Sequence, residues 1–348
     1  MPTIPPYVIG LPGTRSPQTA TPRSIFYSAD RGWLPGGKYI DGAKSRDTNN
    51  GPTDVDRLQA GLIMGKVTAS GFYANWSIDQ NTVDFDGTTS LTLSTSGATE
   101  LVRRIGSTGN MVLTGPPTAD GTVRQLTVAY TAVNTSTGVV TTTTANVNEV
   151  QTFTVNDAIF SAGRLGFAAV NSSGVTVNIS VPYNTSWTQT VLDIQTAFNA
   201  SGVLGTSAVA CAVTATKNMT VTFSGAGYAG LPQTLIVPDN SGATTGALQV
   251  SMVRTTAGVD GRFEAGSVVS QNDGSQTPVT FLPDGFPREV TDGSGSVAQV
   301  EFPDFPIGGI IDEQYLIGYS AMDSSLKTYV RNALSTTLGG KYAFRASF

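Results

Sequence analysis

The sequence predicts a mainly β protein with α+β elements. Apolar residues recur with period two in short runs, such as Leu126, Val128 and Tyr130 or Val175, Val177 and Ile179, which is the spacing of half-buried strands. The runs are separated by turns drawn from 39 glycines and 18 prolines. Helical spacing is confined to three segments, and only two of these carry both start and stop signals.

Taken in order, residues 1–53 are the least domain-like. Pro2, Pro5, Pro6, Pro12, Pro17, Pro22 and Pro35 exclude a helix and remove the donors that a central strand needs. Ile25, Phe26, Tyr27, Trp33 and Leu34 give this segment apolar anchors. Two readings stand: a disordered linker, or an extended arm that docks on a neighbouring subunit and adds a strand to its sheet edge.

From residue 54 to 146 the texture is strand and turn. Leu58, Ala60, Leu62, Met64 and Val67 lead to a turn at Ser70-Gly71. Ala98 to Ile105 forms a short helix with Leu101, Val102 and Ile105 on one face. Met111 to Leu113, the breaker Gly115-Pro116-Pro117 and the alternating run Val123 to Val133 then spell a hairpin.

Residues 147–260 read as a separate module of order ββαββ. Apolar runs from Val150 to Val155 and through Leu165-Gly-Phe167 and Val175-Thr-Val177-Asn-Ile179 supply the strands that come before a helix from Trp187 to Ala200. Its stripe is Val191, Ile194, Gln195 and Phe198, with Ser186 or Thr188 as N-cap and Gly202 as terminator. Strands follow at Val209–Thr216 and Met219–Phe223, with Leu235-Ile-Val237 beyond a glycine turn. Local pairing of this kind describes an α+β unit.

Residues 261–348 resume the earlier style. Val279 and Phe281 precede a turn at Pro283-Asp284-Gly285, and Val297, Val300 and Phe302 precede Pro303. The final helix begins at Asp323 or Ser324, carries Leu326, Tyr329, Val330, Ala333 and Leu334 on one face, and stops before Gly339-Gly340.

Composition limits the chemistry. The chain has no histidine, the one side chain that titrates unperturbed between pH 5 and 8 and the commonest metal ligand. Charged residues make up 13% and the net charge is −5, with the 20 basic residues scattered, so no nucleic-acid surface is expected. No apolar run approaches the length of a membrane-spanning helix, and the start lacks a secretory pattern, which points to folding in a reducing cytoplasm. Cys211, the lone cysteine, reads as a small buried apolar residue.

Three weak constellations occur. Ser324-Ser325-Leu326-Lys327 matches S-x-x-K without its partner motifs, and helix capping accounts for it. Asp84-Phe-Asp86-Gly87 opens like a calcium loop, but position twelve is Thr95, so a turn is expected. Asp304, Asp312 and Glu313 are acidic neighbours that read as solvated loop acids. No catalytic residue, cofactor or metal is assigned.

Particular residues also carry a resemblance. Asp56-Arg-Leu-Gln-Ala-Gly-Leu-Ile-Met-Gly-Lys-Val-Thr-Ala-Ser-Gly71, then Gly266-Ser-Val-Val and Pro278-Val-Thr-Phe-Leu-Pro-Asp-Gly285, resemble the head decoration, or capsid cement, proteins of tailed bacteriophages. The whole resembles a lambda-like decoration body, and Glu100 to Gly106, Leu113 to Pro117 and the ending from Pro306-Ile-Gly-Gly309 through the final helix fit the family's enlarged members. The resemblance covers about 54–146 and 261–348. Asn148 to Thr152, the helix after Tyr183-Asn184 and Val221 to Gly225 resemble a repeat module of phage structural and bacterial surface proteins, inserted so as to split the decoration body.

The resemblance implies a β-tulip body that binds the phage major capsid protein on the expanded lattice, commonly as a homotrimer, on the outside of the virion. It also implies that the N-terminal arm lies on the capsid protein, with Ile4, Pro5, Tyr7, Ile9, Phe26 and Trp33 as its anchors. A structural protein that is not an enzyme and needs no cofactor, nucleic acid or membrane is therefore expected, with residues 147–260 available for host-surface contact. The alternative is a tail or fibre protein that binds host glycans, with Trp187 and Tyr228 exposed in a groove. A hydrolase using Ser324 and Lys327 is the remaining rival.

Overall fold

The computed structural model describes residues 25–26, 32–34, 38–50, 55–116, 122–143, 145–155, 163–215, 217–225, 227–239, 250–283, 288–290, 299–301, 305–336 and 341–345. The chain divides into two compact units, 1–143 with 263–348, and 144–262.

The first unit opens with β1 (Gly32–Leu34) and β2 (Tyr39–Asp41), after which Asp41 caps a single 3-10 turn. β3 (Arg57–Leu58) and β4 (Ile63–Lys66) replace the one strand that the apolar pattern suggests over this stretch. The break falls at Gly61, whose φ of +92° suits glycine, and whose missing Cβ leaves room for the Tyr315 carbonyl. β5 (Tyr73–Asn75), β6 (Val83–Phe85) and β7 (Ser90–Thr92) follow. α1 (Thr95–Arg104) starts three residues earlier than predicted because Ser94 Oγ accepts from Gly97 N at 2.9 Å. Arg103 and Arg104 in its last turn complement the helix dipole. The hairpin then appears as β8 (Gly109–Gly115) and β9 (Arg124–Val133), extended by β10 (Val139–Thr142).

The second unit contains β11 (Val150–Val155), β12 (Arg164–Val170) and β13 (Thr176–Pro182), then α2 (Trp187–Phe198). β14 (Val209–Ala215), β15 (Asn218–Phe223), β16 (Val237–Asp239) and β17 (Val250–Thr256) complete it. Among the described residues three strands precede the helix and four follow it, in place of the ββαββ order. β17 escaped the sequence reading because Met252 is its one buried residue, so it shows no alternation. Its strands form a four-stranded sheet, β14-β15-β11-β17, and a three-stranded sheet, β13-β12-β16.

The core of this unit joins Phe153, Phe167, Phe198, Val221 and Phe223. In β11 the inward residues are Gln151, Phe153 and Val155, so the buried parity takes in Gln151 where an apolar reading would place Val150. Gln151 fits there because Glu149 Oε1 accepts from its Nε2 at 2.6 Å while its own Oε1 accepts from Ile236 N at 2.8 Å. The outer edge of β14 is covered by α2. Gln195 Oε1 accepts from Cys211 N at 2.7 Å, and the Asn199 amide exchanges two hydrogen bonds with Val209 at 2.8 and 2.9 Å. At the base of the unit Val147 and Val259 bond each other in both directions at 2.9 and 2.8 Å, which closes its two ends together.

The chain then returns to the first unit with β18 (Phe263–Gln271), β19 (Pro278–Phe281), β20 (Arg288–Glu289), β21 (Gln299–Glu301) and β22 (Phe305–Asp312). α3 (Ser324–Thr336) and β23 (Lys341–Arg345) end it. A six-stranded sheet runs β6-β18-β8-β9-β10-β7, and its two end strands are chain neighbours, so it is nearly closed like a barrel. A five-stranded sheet runs β19-β4-β5-β2-β21, a three-stranded one β1-β22-β23, and β20 pairs with β3. Trp76, Phe26, Phe281, Leu326, Val330 and Leu334 form one core cluster, and Ile40, Leu58, Met64, Tyr73 and Leu282 another. The molecule is mainly β, as the sequence predicts.

Candidate functional site

The segment read as a free arm is partly built into the first unit. Phe26 is 3% exposed, packs its ring at a tilt against Phe281 with centroids 5.5 Å apart, and bridges Ile311. The Ile25 carbonyl accepts from Asp312 N at 2.8 Å. Trp33 lies in β1, opposite Pro306 of β22. Phe26 is therefore an anchor into its own chain, and Trp33 is held there through its backbone register. Ile4, Pro5, Tyr7 and Ile9 lie outside the described residues.

The root of the arm, residues 42–50, is fixed by a buried polar cluster that the sequence reading missed. Arg46 and Thr48 are nearly buried, and Ser45 and Asp47 are wholly so. Asp47 accepts from Asn49 N at 3.2 Å and Gln59 N at 3.3 Å. Gln80 Oε1 accepts from Thr48 N at 2.7 Å and from the Thr48 hydroxyl. Lys44 Nζ reaches Asp273 at 2.6 Å. From α1, Glu100 holds both Arg103 and Arg104, the latter at 2.6 Å with its side chain fully buried. Burial lowers the Arg104 pKa while the Glu100 carboxylate opposes that shift. Burial alone would raise Asp273, but the Lys44 ammonium and Ser275 outweigh it and hold that carboxyl below its usual value. No sequence signal marks this cluster, because its members are single polar residues far apart in the chain.

The three weak constellations have structural roles. Asp323 Oδ1 accepts from Ser325 N at 2.6 Å and caps α3, while Lys327 Nζ donates to the Ser320 carbonyl at 2.9 Å. Asp86 Oδ1 accepts from Thr88 N at 2.9 Å, making the turn between β6 and β7, and Thr95 begins α1. Asp312 caps a 3-10 turn, and Glu313 makes a two-pronged pair with Arg331 at 2.6 and 2.7 Å. Asp304 lies outside the described residues. A shallow groove of about 390 Å³ runs beside β6 and β7, lined by Thr82, Val83, Asp84, Asp86, Ser90, Leu91 and Thr92. Among the described residues no group of three His, Cys, Asp or Glu is placed to hold a metal, and no helix is long and apolar enough to cross a membrane.

Trp187 and Tyr228, which a glycan groove would need exposed, are core residues. Trp187 stacks on Phe153 and donates from Nε1 to the Asn218 carbonyl at 3.1 Å. Tyr228 is 1% exposed, and its hydroxyl donates to the Leu204 carbonyl at 3.0 Å and accepts from Ser172 N at 2.8 Å. Glu149, wholly buried, is held by Gln151, by Gln233 N at 2.8 Å and by Arg254 at 3.0 Å. Burial pushes its carboxyl up, but these donors prevail and hold it low. Cys211 packs half-buried against the core, and burial pushes its thiol up to about 12.

No protein-family model matches the chain, and no curated protein resembles it closely enough to count as a match.

Proposed function

We propose that the protein is a capsid decoration protein of a tailed bacteriophage, and that its first unit binds the major capsid protein on the outside of the expanded head. The observation that carries this reading is the ordered set of decoration-like segments on both sides of residues 144–262. Its support is that segments far apart in sequence lie together: β4, within Asp56–Gly71, pairs with β19, within Pro278–Gly285, at Gly65 opposite Pro278. The segment holding Gly266 to Val269 lies in β18, which pairs with β8 of the same unit. Cementing would act by bridging neighbouring capsid subunits, so that burial of a standard interface of about 1,600 Å² per contact opposes the outward pressure of packaged DNA. A homotrimer would multiply such contacts by avidity.

With Phe26 and β1 taken up by the chain's own sheet, the capsid-binding part of the arm is assigned to the residues before Ile25, with Ile4, Pro5, Tyr7 and Ile9 as anchors. The test is co-sedimentation of the protein with expanded capsids. Deleting residues 1–24 should leave the body folded and abolish or strongly weaken binding; unchanged binding would overturn the arm assignment. Labelling the protein on intact virions should mark heads, and label confined to tails would overturn the decoration reading. Residues 144–262 are proposed to be dispensable for capsid binding and to serve host-surface contact. Deleting them should lower host adsorption while capsid binding persists.

A further inference from the structure

Three buried side chains at the arm root each lack one hydrogen-bond partner. Ser45 and Asn75 are 0% exposed, as is the side chain of Arg104. Ser45 Oγ, Asn75 Oδ1 and Arg104 Nη2 have no partner among the described residues. The three belong to one neighbourhood. Arg104 Nη1 donates to the Asn75 carbonyl at 3.2 Å, and Asn75 Nδ2 donates to the carbonyl of Arg46, the residue after Ser45. They arrive on three separate pieces of chain: the arm root, β5 and α1.

Their chemistry selects the occupant. Arg104 Nη2 can only donate, Asn75 Oδ1 can only accept, and the Ser45 hydroxyl does either. A cation would meet the guanidinium, and an anion would meet the amide oxygen. Reversing the Asn75 amide does not remove the mismatch, because it would set the amide oxygen against the Arg46 carbonyl and forfeit the bond there. Water is the small species that accepts from the first, donates to the second and exchanges with the third, and buried waters typically make about three such bonds.

We propose that one ordered water molecule is bound internally by Ser45 Oγ, Asn75 Oδ1 and Arg104 Nη2, and that it pins the arm root to β5 and α1. This site is independent of the capsid reading. It makes residues 42–50 part of the rigid body, leaving the preceding residues to engage a partner.

The test is a pair of crystal structures of the full chain, one grown in chloride and one in bromide. The expected result is a single density peak within about 2.7–3.2 Å of all three atoms in both crystals, with no anomalous signal at the bromine edge. An anomalous peak at that position would show an anion site and overturn the proposal. So would an empty position in which the three side chains pair directly with one another.

Discussion

Cys211 shows how little a residue type says before its surroundings are known. Its backbone N–H is taken by Gln195 and its thiol is pushed up to about 12 by burial, so almost none of it is thiolate near neutrality. A disulfide-exchange dye at pH 8 should therefore label the folded protein far more slowly than the protein in guanidinium; equal rates would contradict the burial. The carboxylates set the acid response. Asp273 and Glu149 both titrate below their usual range in the folded state, so the stability they contribute is present above about pH 4 and is lost as the pH falls through their depressed values. With no histidine in the chain, urea midpoints should be flat from pH 5 to 8 and should drop only in acid. A step near pH 6 would show that some other group titrates on unfolding.

Among the elements, β14 is the most instructive, because its sequence, Val209 to Ala215, is uncharged and apolar and would pair readily with another strand. Gln195 of α2 and Asn199, the residue just past that helix's end, occupy the backbone groups of the strand's outer edge at Cys211 and Val209. Gln195→Ala should cost about 1 kcal/mol through the lost bond to the Cys211 N–H, measured as a shift in urea midpoint. The same variant should associate at high concentration, read by light scattering, since the covered edge is opened. Gln195 was legible as part of a helical stripe, yet its role was not: periodicity groups it with Val191 and Ile194, whereas its amide turns to the strand edge. In β11 the same blindness operates, for Gln151 is buried by hydrogen bonds that a hydrophobic pattern does not encode.

At the scale of the molecule, the chain makes its first unit from both ends and its second from the middle. The second unit has its own aromatic core and closes its ends through the Val147–Val259 exchange. Replacing residues 144–262 by a short Gly-Ser linker should leave a first unit that melts cooperatively, and residues 144–262 expressed alone should also melt cooperatively. Loss of the sharp transition in either piece would show that the units depend on each other. The resemblance to decoration proteins belongs to this scale too, since it concerns the order of segments around an insertion. Its test is capsid binding, because the fold by itself supports many functions.

The sequence by itself determined the mainly β class, the presence of the three helices, the apolar stripes of α2 and α3, and the hairpin of β8 and β9, because each follows from local spacing, capping residues and turn chemistry. In α1 the buried face is Gly97, Ala98, Glu100 and Leu101, so only Leu101 of its expected stripe is fully covered. Only the tertiary structure decided what lies where spacing is silent. It drew Phe26 and β1 of the Pro-rich start onto β22, buried Trp187 and Tyr228, and gathered Ser45, Arg46, Asp47, Asn75, Gln80, Glu100 and Arg104 into one polar cluster. The physical reason is the same throughout. Alternation records which face of an element is apolar, whereas the partner of a polar or aromatic side chain depends on segments far away in the chain that folding brings to it.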